Sequence, residues 1–293
     1  NKNKFLYLNK IEVIFIKSFK WTRRKDIFRV FGMIEFMLKV IFKIPFMNIE
    51  KPDLIIGSSP NLFAAFGAAV ISIFFRVPFV LEIRDIWPES LIQLKAFKKF
   101  SIFYLIFKAL EISLIRFSKK IIILMGNGFN YDQFNGVDKK KIFYLPNGID
   151  MDNRFYKSIK NKKYNNYPFE LLYLGSVGHA NAIDKIIYAF YELKLQGFNK
   201  EKIILKIYGE GPLKNFMRKL CKELELENIY FYSAIPTNKI QEISDKADGF
   251  IFAMQNLPKI YKYGISFNKI FEYMSLSKPI VYNSYSSHNP MEL

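Results

Sequence analysis

Cysteine and histidine are nearly absent from this 293-residue sequence, which has one Cys, at position 221, and two His, at 179 and 288. A single thiol cannot close an internal disulfide, and so few soft ligands leave no Cys/His cluster to hold zinc. A reducing compartment fits, no metal is expected, and a mechanism needing a histidine base has only His179 and His288 to draw on. Acidic residues are scarce as well. Lys and Arg number 44 against 26 Asp and Glu, a net charge of +18. Such a surplus attracts polyanions, whether nucleic acid, an anionic lipid surface or diphosphate ligands. No recognised nucleic-acid motif occurs, which makes nucleic acid the weakest of these partners. A membrane-length apolar run is also missing. The longest, Leu62 to Phe75, is bounded by Asn61 and Arg76 and contains Ser72, and it falls short of the ~18 to 20 residues a spanning helix needs. With no secretory signal visible, a cytoplasmic location is expected.

What the chain does have is apolar and aromatic bulk, with 51% hydrophobic and 17% aromatic residues. That composition excludes a disordered protein, and the length suits two ordinary cores. The first fifty residues hold eleven Lys/Arg against four Asp/Glu, with Phe19, Trp21, Phe28, Phe31, Phe36 and Phe42 interleaved. A basic, aromatic, amphipathic stretch of this kind suits an anionic bilayer surface, and a solvated basic face over an ordinary core helix fits it equally well.

Short apolar runs then alternate with helical patterns. Strands are expected near 53–58, 79–83, 121–124 and 141–145, with a small-residue helix from Leu62 and a long helix from about Phe97 to Phe117. Residues 151–168 are rich in Asn and Lys and read as the stretch between two domains. The alternation restarts with strands at 169–174, 202–208, 228–232, 249–253 and 279–282, and helices near 182–195 and 213–224. Continuous apolar runs between helices indicate parallel strands buried on both faces. Two doubly wound α/β domains in series are therefore expected, with ligands beyond the carboxyl ends of the strands. The boundaries drawn are 1–155 for the first domain, 156–168 for the linker and 169–293 for the second.

Every glycine turn falls at such a strand end. Gly175-Ser176-Val177-Gly178 and Gly209-Glu210-Gly211 each lie between a strand and a helix. They could let a diphosphate approach backbone N–H groups, or they could be packing glycines. A more specific stretch is Gly264-Ile265-Ser266-Phe267-Asn268-Lys269-Ile270-Phe271-Glu272-Tyr273-Met274. Glu272 can accept two ribose hydroxyls. Lys269, three residues earlier on the same helical face, could reach a diphosphate. The plainer alternative is a surface carboxylate paired with Lys269.

This stretch resembles the nucleotide-sugar signature of glycosyltransferase family 4, in its N-acetylfucosamine-transferase-like branch of surface-polysaccharide assembly. Glu82-Ile83-Arg84-Asp85-Ile86-Trp87-Pro88-Glu89-Ser90, Pro146-Asn147-Gly148-Ile149-Asp150 and Gly209-Glu210-Gly211-Pro212 are similar to other motifs of that family. The resemblance implies an α/β GT-B fold, two Rossmann-like domains facing a cleft, and a retaining transferase that uses a nucleotide-sugar donor without a cofactor or metal. It implies a lipid-linked glycan acceptor and a peripheral place on the inner face of the cell membrane. Arg84, Asp85 and Glu89 are implied as the catalytic-side residues. Glu272, Lys269, Asn268, Ser266, Gly264, Gly209, Gly211, Gly175, Gly178 and His179 are implied around the donor.

There are departures from the family. Gly264 stands where the family has a carboxylate near the donor sugar, and Ser176 and Asn181 stand where it has a diphosphate-clamping Arg and Lys. His179 is a candidate to compensate. The family's opening strand and glycine-rich loop are not visible before Pro52, nor are its closing helices before Leu293. A chain truncated at both ends is therefore expected, with an inactive remnant, or a basic membrane- or nucleic-acid-binding protein, as the alternatives.

Overall fold

The computed structural model describes residues 4–8, 11–18, 26–94, 98, 99, 101–149, 168–286 and 288–292. Phe19, Trp21, Phe97 and nearly all of the linker region lie outside them. The chain divides into two compact units, 1–146 and 147–293.

The first unit opens with an antiparallel hairpin, β1 (Lys4–Leu8) and β2 (Ile11–Phe15), followed by helix α1 (Asp26–Lys43). Strand β3 (Ile55–Ser58) leads through Asn61 into α2 (Leu62–Phe75). The Asn61 side chain caps α2 by accepting from the Ala64 N–H at 3.2 Å. Next come β4 (Phe79–Ile83), the short α3 (Glu89–Gln93) and α4 (Ile102–Phe117). Helix α4 starts at Ile102 and not near 97, because the Ser101 hydroxyl accepts from the Tyr104 N–H at 3.3 Å and fixes the first turn there. Strands β5 (Lys120–Ile123) and β6 (Ile142–Tyr144) complete a parallel sheet of order β3-β4-β5-β6.

That order runs one way only, so the first unit is not doubly wound among the described residues. Right-handed crossovers in one direction put their helices on one face. Phe79, Leu81, Ile83, Ile121 and Ile123 are buried on that face. The small residues of α2 permit a tight approach: a Cβ on Gly57 would meet the Phe79 ring and the Ala65 Cα at 3.0 Å or less. Helix α1 lies on α2, with Met37 and Val40 over Gly67. The basic, aromatic stretch thus covers the core with one face while Phe31 and Phe42 stay exposed on α1 and Phe46, just beyond it, is 86% exposed. No helix among the described residues is long and apolar enough to cross a membrane.

The second unit is doubly wound. Its elements are β7 (Phe169–Leu174), α5 (Ile183–Leu195), β8 (Ile203–Tyr208), α6 (Lys214–Glu223), β9 (Ile229–Tyr232), α7 (Ile240–Lys246), β10 (Gly249–Phe252), α8 (Pro258–Tyr261), α9 (Asn268–Ser275) and β11 (Ile280–Tyr282). The parallel sheet has the order β11-β10-β7-β8-β9, so the winding reverses between β7 and β10. Strand β10 pairs with β7 only at Leu171 and Leu172, which leaves the end of β7 to another partner. Tyr273 of α9 supplies it. Its hydroxyl accepts from the Leu174 N–H at 2.8 Å, and its ring stacks on Phe250 at 4.4 Å. Helix α9 is thereby fixed against the carboxyl end of the central strand.

Candidate functional site

The loops after β7 and β8 are stitched together backbone to backbone. The Gly175 N–H donates to the Tyr208 carbonyl at 3.0 Å, Val177 N–H to Glu210 at 3.0 Å, and Leu213 N–H to Val177 at 3.2 Å. A Cβ on Gly209 would overlap the Gly175 carbonyl, and one on Gly211 would sit within 3.0 Å of three Val177 backbone atoms. Of the two roles open to Gly209 and Gly211, close packing of backbone is the one their surroundings require. Gly175 is different. Its φ of +146° belongs to glycine, and it lines the cavity described next. Gly178 has extended backbone, with φ −124°, and open surroundings.

Beyond the carboxyl ends of β7, β8 and β9 lies a cavity of about 380 Å³. Gly175 and Ser176, Tyr208 to Glu210, and Ala234 with Ile235 form its walls, and Ile240 of α7 and Glu272 of α9 close it. The Glu272 carboxylate has no hydrogen bond or ion pair among the described residues, so it does not form the surface pair with Lys269. Glu210 is exposed, and its bond to Lys214 at 2.8 Å holds its carboxyl below the ordinary range. The turn after β8 thus holds an anion–cation pair, and α9 presents a carboxylate with no partner among the described residues.

Among the described residues Lys269 hydrogen-bonds elsewhere than to Glu272, and its ammonium lies beside Gly175. Its ammonium donates to Asn181 Oδ1 at 2.8 Å and to the Tyr173 hydroxyl at 3.2 Å. Asn181 Nδ2 in turn donates to Ser176 Oγ at 2.9 Å, and the Tyr173 hydroxyl donates to the Ser176 carbonyl at 2.8 Å. The four residues form a closed polar ring under the glycine loop. Burial lowers Lys269 to about 8, with Glu272 working in the opposite direction.

Other donor-side candidates are placed less directly. Asn268 is exposed in the first turn of α9, and His179 is exposed on a one-turn 3-10 segment outside the cavity wall. The Ser266 hydroxyl accepts from the Asn147 N–H at 3.0 Å, and Asn147 Nδ2 donates to the Ser266 carbonyl. Two of the motifs singled out in the sequence are thus clasped to each other. Gly264 has φ +101°, which a glutamate would adopt only with strain. The absent carboxylate therefore goes with a local backbone that suits glycine.

The glycine loop between β7 and α5 also contains Ala182, buried, with φ +44°. A left-handed alanine costs about 1–2 kcal/mol. Replacing Ala182 with Gly is expected to raise the stability of the second unit by about 1 kcal/mol, read as a higher denaturation midpoint at unchanged slope.

In the first unit Arg84, Asp85 and Glu89 follow β4. Arg84 is exposed and lies 3.9 Å from Glu82. Burial raises the pKa of Asp85, while bonds from Ser90, Ile86 and Trp87 oppose that rise. Its carboxylate accepts from the Ile86 N–H at 2.8 Å and the Ser90 hydroxyl at 3.1 Å, so it caps the turn into α3. Glu89 accepts from Tyr104 and Lys108, both at 3.1 Å. Asp85 and Glu89 are thus engaged in holding α3 and α4. Sequence spacing did not point to Tyr173 or to the cavity wall at Ala234 and Ile235, since nothing distinguishes them from core and turn residues. Among the described residues no group of three or more His, Cys, Asp or Glu is placed to hold a metal.

Two parallel α/β units in series, the second with its cavity beyond the strand ends, are the Rossmann-like domains of the GT-B fold of glycosyltransferases. Residues 155–290 match the protein-family model described as "Glycosyl transferases group 1". The solved structure of the lipopolysaccharide outer core galactosyltransferase WaaB in its apo form is 14% identical, with a TM-score of 0.52, over 91% of this chain and 64% of that one. Anabaena Alr3699/HepE in complex with UDP is 16% identical with a TM-score of 0.59, over 90% and 66%. The pneumococcal O-GlcNAc transferase GtfA in complex with UDP and GlcNAc is 14% identical with a TM-score of 0.55, over 97% and 55%. The chain spans about three fifths of the length of the solved relatives it matches. No curated protein matches the sequence significantly.

Proposed function

We propose that this protein is a retaining glycosyltransferase that takes a UDP-linked sugar in the second unit and passes it to a lipid-linked glycan acceptor. The observation that carries the reading is the Glu272 carboxylate, without a hydrogen-bond or ion-pair partner among the described residues, in the wall of the cavity beyond β7, β8 and β9. A carboxylate there can accept both ribose hydroxyls of a nucleotide. The family match over this unit supports it, and so does the binding of UDP by HepE and GtfA at the same fold. The charge that grows on the departing diphosphate would be met by N–H groups of the glycine loop and by Lys269. Its oxygen would take the acceptor proton, with no metal required. The finer reading is an N-acetylfucosamine-transferase-like enzyme of O-antigen, capsule or lipopolysaccharide assembly. It would sit in the cytoplasm on the inner face of the membrane, with Phe31, Phe42 and Phe46 and the basic surplus against anionic lipid. The likeness to WaaB, a lipopolysaccharide outer core galactosyltransferase, supports the setting.

The test is calorimetric titration with UDP-glucose. Glu272→Gln is expected to weaken binding about tenfold or more, the loss of a charge-assisted pair of hydrogen bonds, with an unchanged melting temperature. Unaltered affinity would overturn the assignment.

A further inference from the structure

Lys269 is a half-buried cation whose hydrogen-bond partners, Asn181 and Tyr173, are both neutral, with the Tyr173 ring face 4.8 Å from the ammonium as its other contact. Buried ammonium groups are normally paired with an anion, because neutral acceptors do not offset the loss of water. The groups that face it are Tyr173 from β7, Asn181 from the glycine loop and Glu272 on its own helix, and Glu272 is the charged group acting on it. The amine lies 3.5 Å from where a Gly175 side chain would begin, and Gly175 lines the cavity. Gly175 thus stands between the space assigned to the donor and a cation whose hydrogen-bond partners are neutral. Asn181 fixes the amine there through its Oδ1 at 2.8 Å.

We propose that donor binding at this site is proton-linked through Lys269, whose amine serves from behind Gly175 as the cation for the diphosphate and gains a proton as that anion arrives. The inference rests on the donor reading above. Its sign follows from linkage. Burial leaves Lys269 near 8, so around pH 8 about half the molecules carry a neutral amine. An anion nearby favours the charged form and raises the pKa. Binding then takes up about half a proton at pH 8 and almost none at pH 6.5, and affinity falls about fourfold between pH 6.5 and 8.5. The balance is simple, because the amine nitrogen accepts one proton from buffer and no covalent bond to the donor forms or breaks.

The experiment is titration of the full chain with UDP-glucose at pH 6.5 and 8.0, each in two buffers of different ionisation enthalpy. UDP-glucose is the probe because its diester diphosphate does not itself titrate in this range. The expected result is buffer-dependent heat at pH 8.0 that vanishes at pH 6.5. Lys269→Gln should bind about tenfold more weakly with no proton uptake. Lys269→Arg, charged throughout, should bind without uptake and without the pH slope. If Lys269→Gln fails to fold, the wild type and the arginine variant decide the matter. Tight binding without proton uptake at pH 8.0, or uptake that persists in Lys269→Arg, overturns the inference and leaves the donor reading intact. No binding of UDP-glucose or of other nucleotide sugars overturns the donor reading and the inference with it.

Discussion

Gly209→Ala is expected to destabilise the second unit by about 3 kcal/mol and to abolish nucleotide-sugar binding. The added methyl would overlap the Gly175 carbonyl, which is backbone and cannot rotate away. To make room the β7 and β8 loops must part, breaking the Gly175-to-Tyr208 and Val177-to-Glu210 bonds, each 3.0 Å. The damage falls where Gly175, Ser176 and Glu210 line the cavity, so stability and binding are lost together. Hydrogen exchange read on peptides covering 174–177 and 208–213 would show the opening directly. Gly178→Ala is the control. Its Cβ would meet nothing nearer than Asn181 Nδ2 at 4.0 Å, and its stability should change by less than about 0.5 kcal/mol. Equal behaviour of the two variants would show that the loops do not pack as described.

The second large effect concerns the first unit. Lys108 lies between two carboxylates, 2.8 Å from Glu111 and 3.1 Å from Glu89, and Tyr131 also donates to Glu111. Glu111 is 4% exposed. Burial raises it to about 7, against the opposing pull of Lys108 and Tyr131. The folded state therefore holds the Glu111 proton more tightly than the unfolded chain does, and stability falls as pH rises between about 4.5 and 7. Removing the cation should push this carboxyl higher still. Lys108→Met is expected to cost about 3 kcal/mol at pH 8.5, where Glu111 must ionise without a partner or bind a proton against the bulk pH. Near pH 5.5, where Glu111 is protonated anyway, the cost should drop to about 1 kcal/mol. Urea unfolding followed by Trp87 fluorescence reports this unit, because Trp87 packs edge-on against Phe107 of α4, the helix that carries Lys108 and Glu111. A pH-independent cost would mean that Glu111 is not the group that responds.

Much of the architecture was legible in the sequence for a physical reason. Parallel strands are written as short continuous apolar runs; Phe169 to Leu174 is one that is buried on both faces from Leu171 on, whereas Ile121-Ile122-Ile123, in the sheet covered by helices on one face, alternates in burial. The hairpin at 4–15 was not legible, since its residues sit in a basic, aromatic stretch that fits a helix or a lipid surface as well. Winding direction was not legible either, because strand order is set by packing and not by any local pattern. At the site, the spacing of Lys269 and Glu272 placed both on one helix. It could not say that one faces the cavity and the other a polar ring behind Gly175. The same limit applied to Gly209, where only the neighbouring carbonyl decides between a packing role and a ligand-binding one. Asp85 shows the reverse situation: a charged residue in a distinctive motif whose carboxylate is taken up by capping bonds.

The one-way order of the first sheet also bears on how the protein behaves in solution. Strand β3 is hydrogen-bonded only to β4 among the described residues, Leu54 just before it is 47% exposed, and Ile56 within it is 51% exposed on the sheet face away from α2. A free edge with apolar neighbours is a template for a strand from a second molecule. Sedimentation at rising concentration is therefore expected to show self-association that Ile56→Lys suppresses, independently of nucleotide.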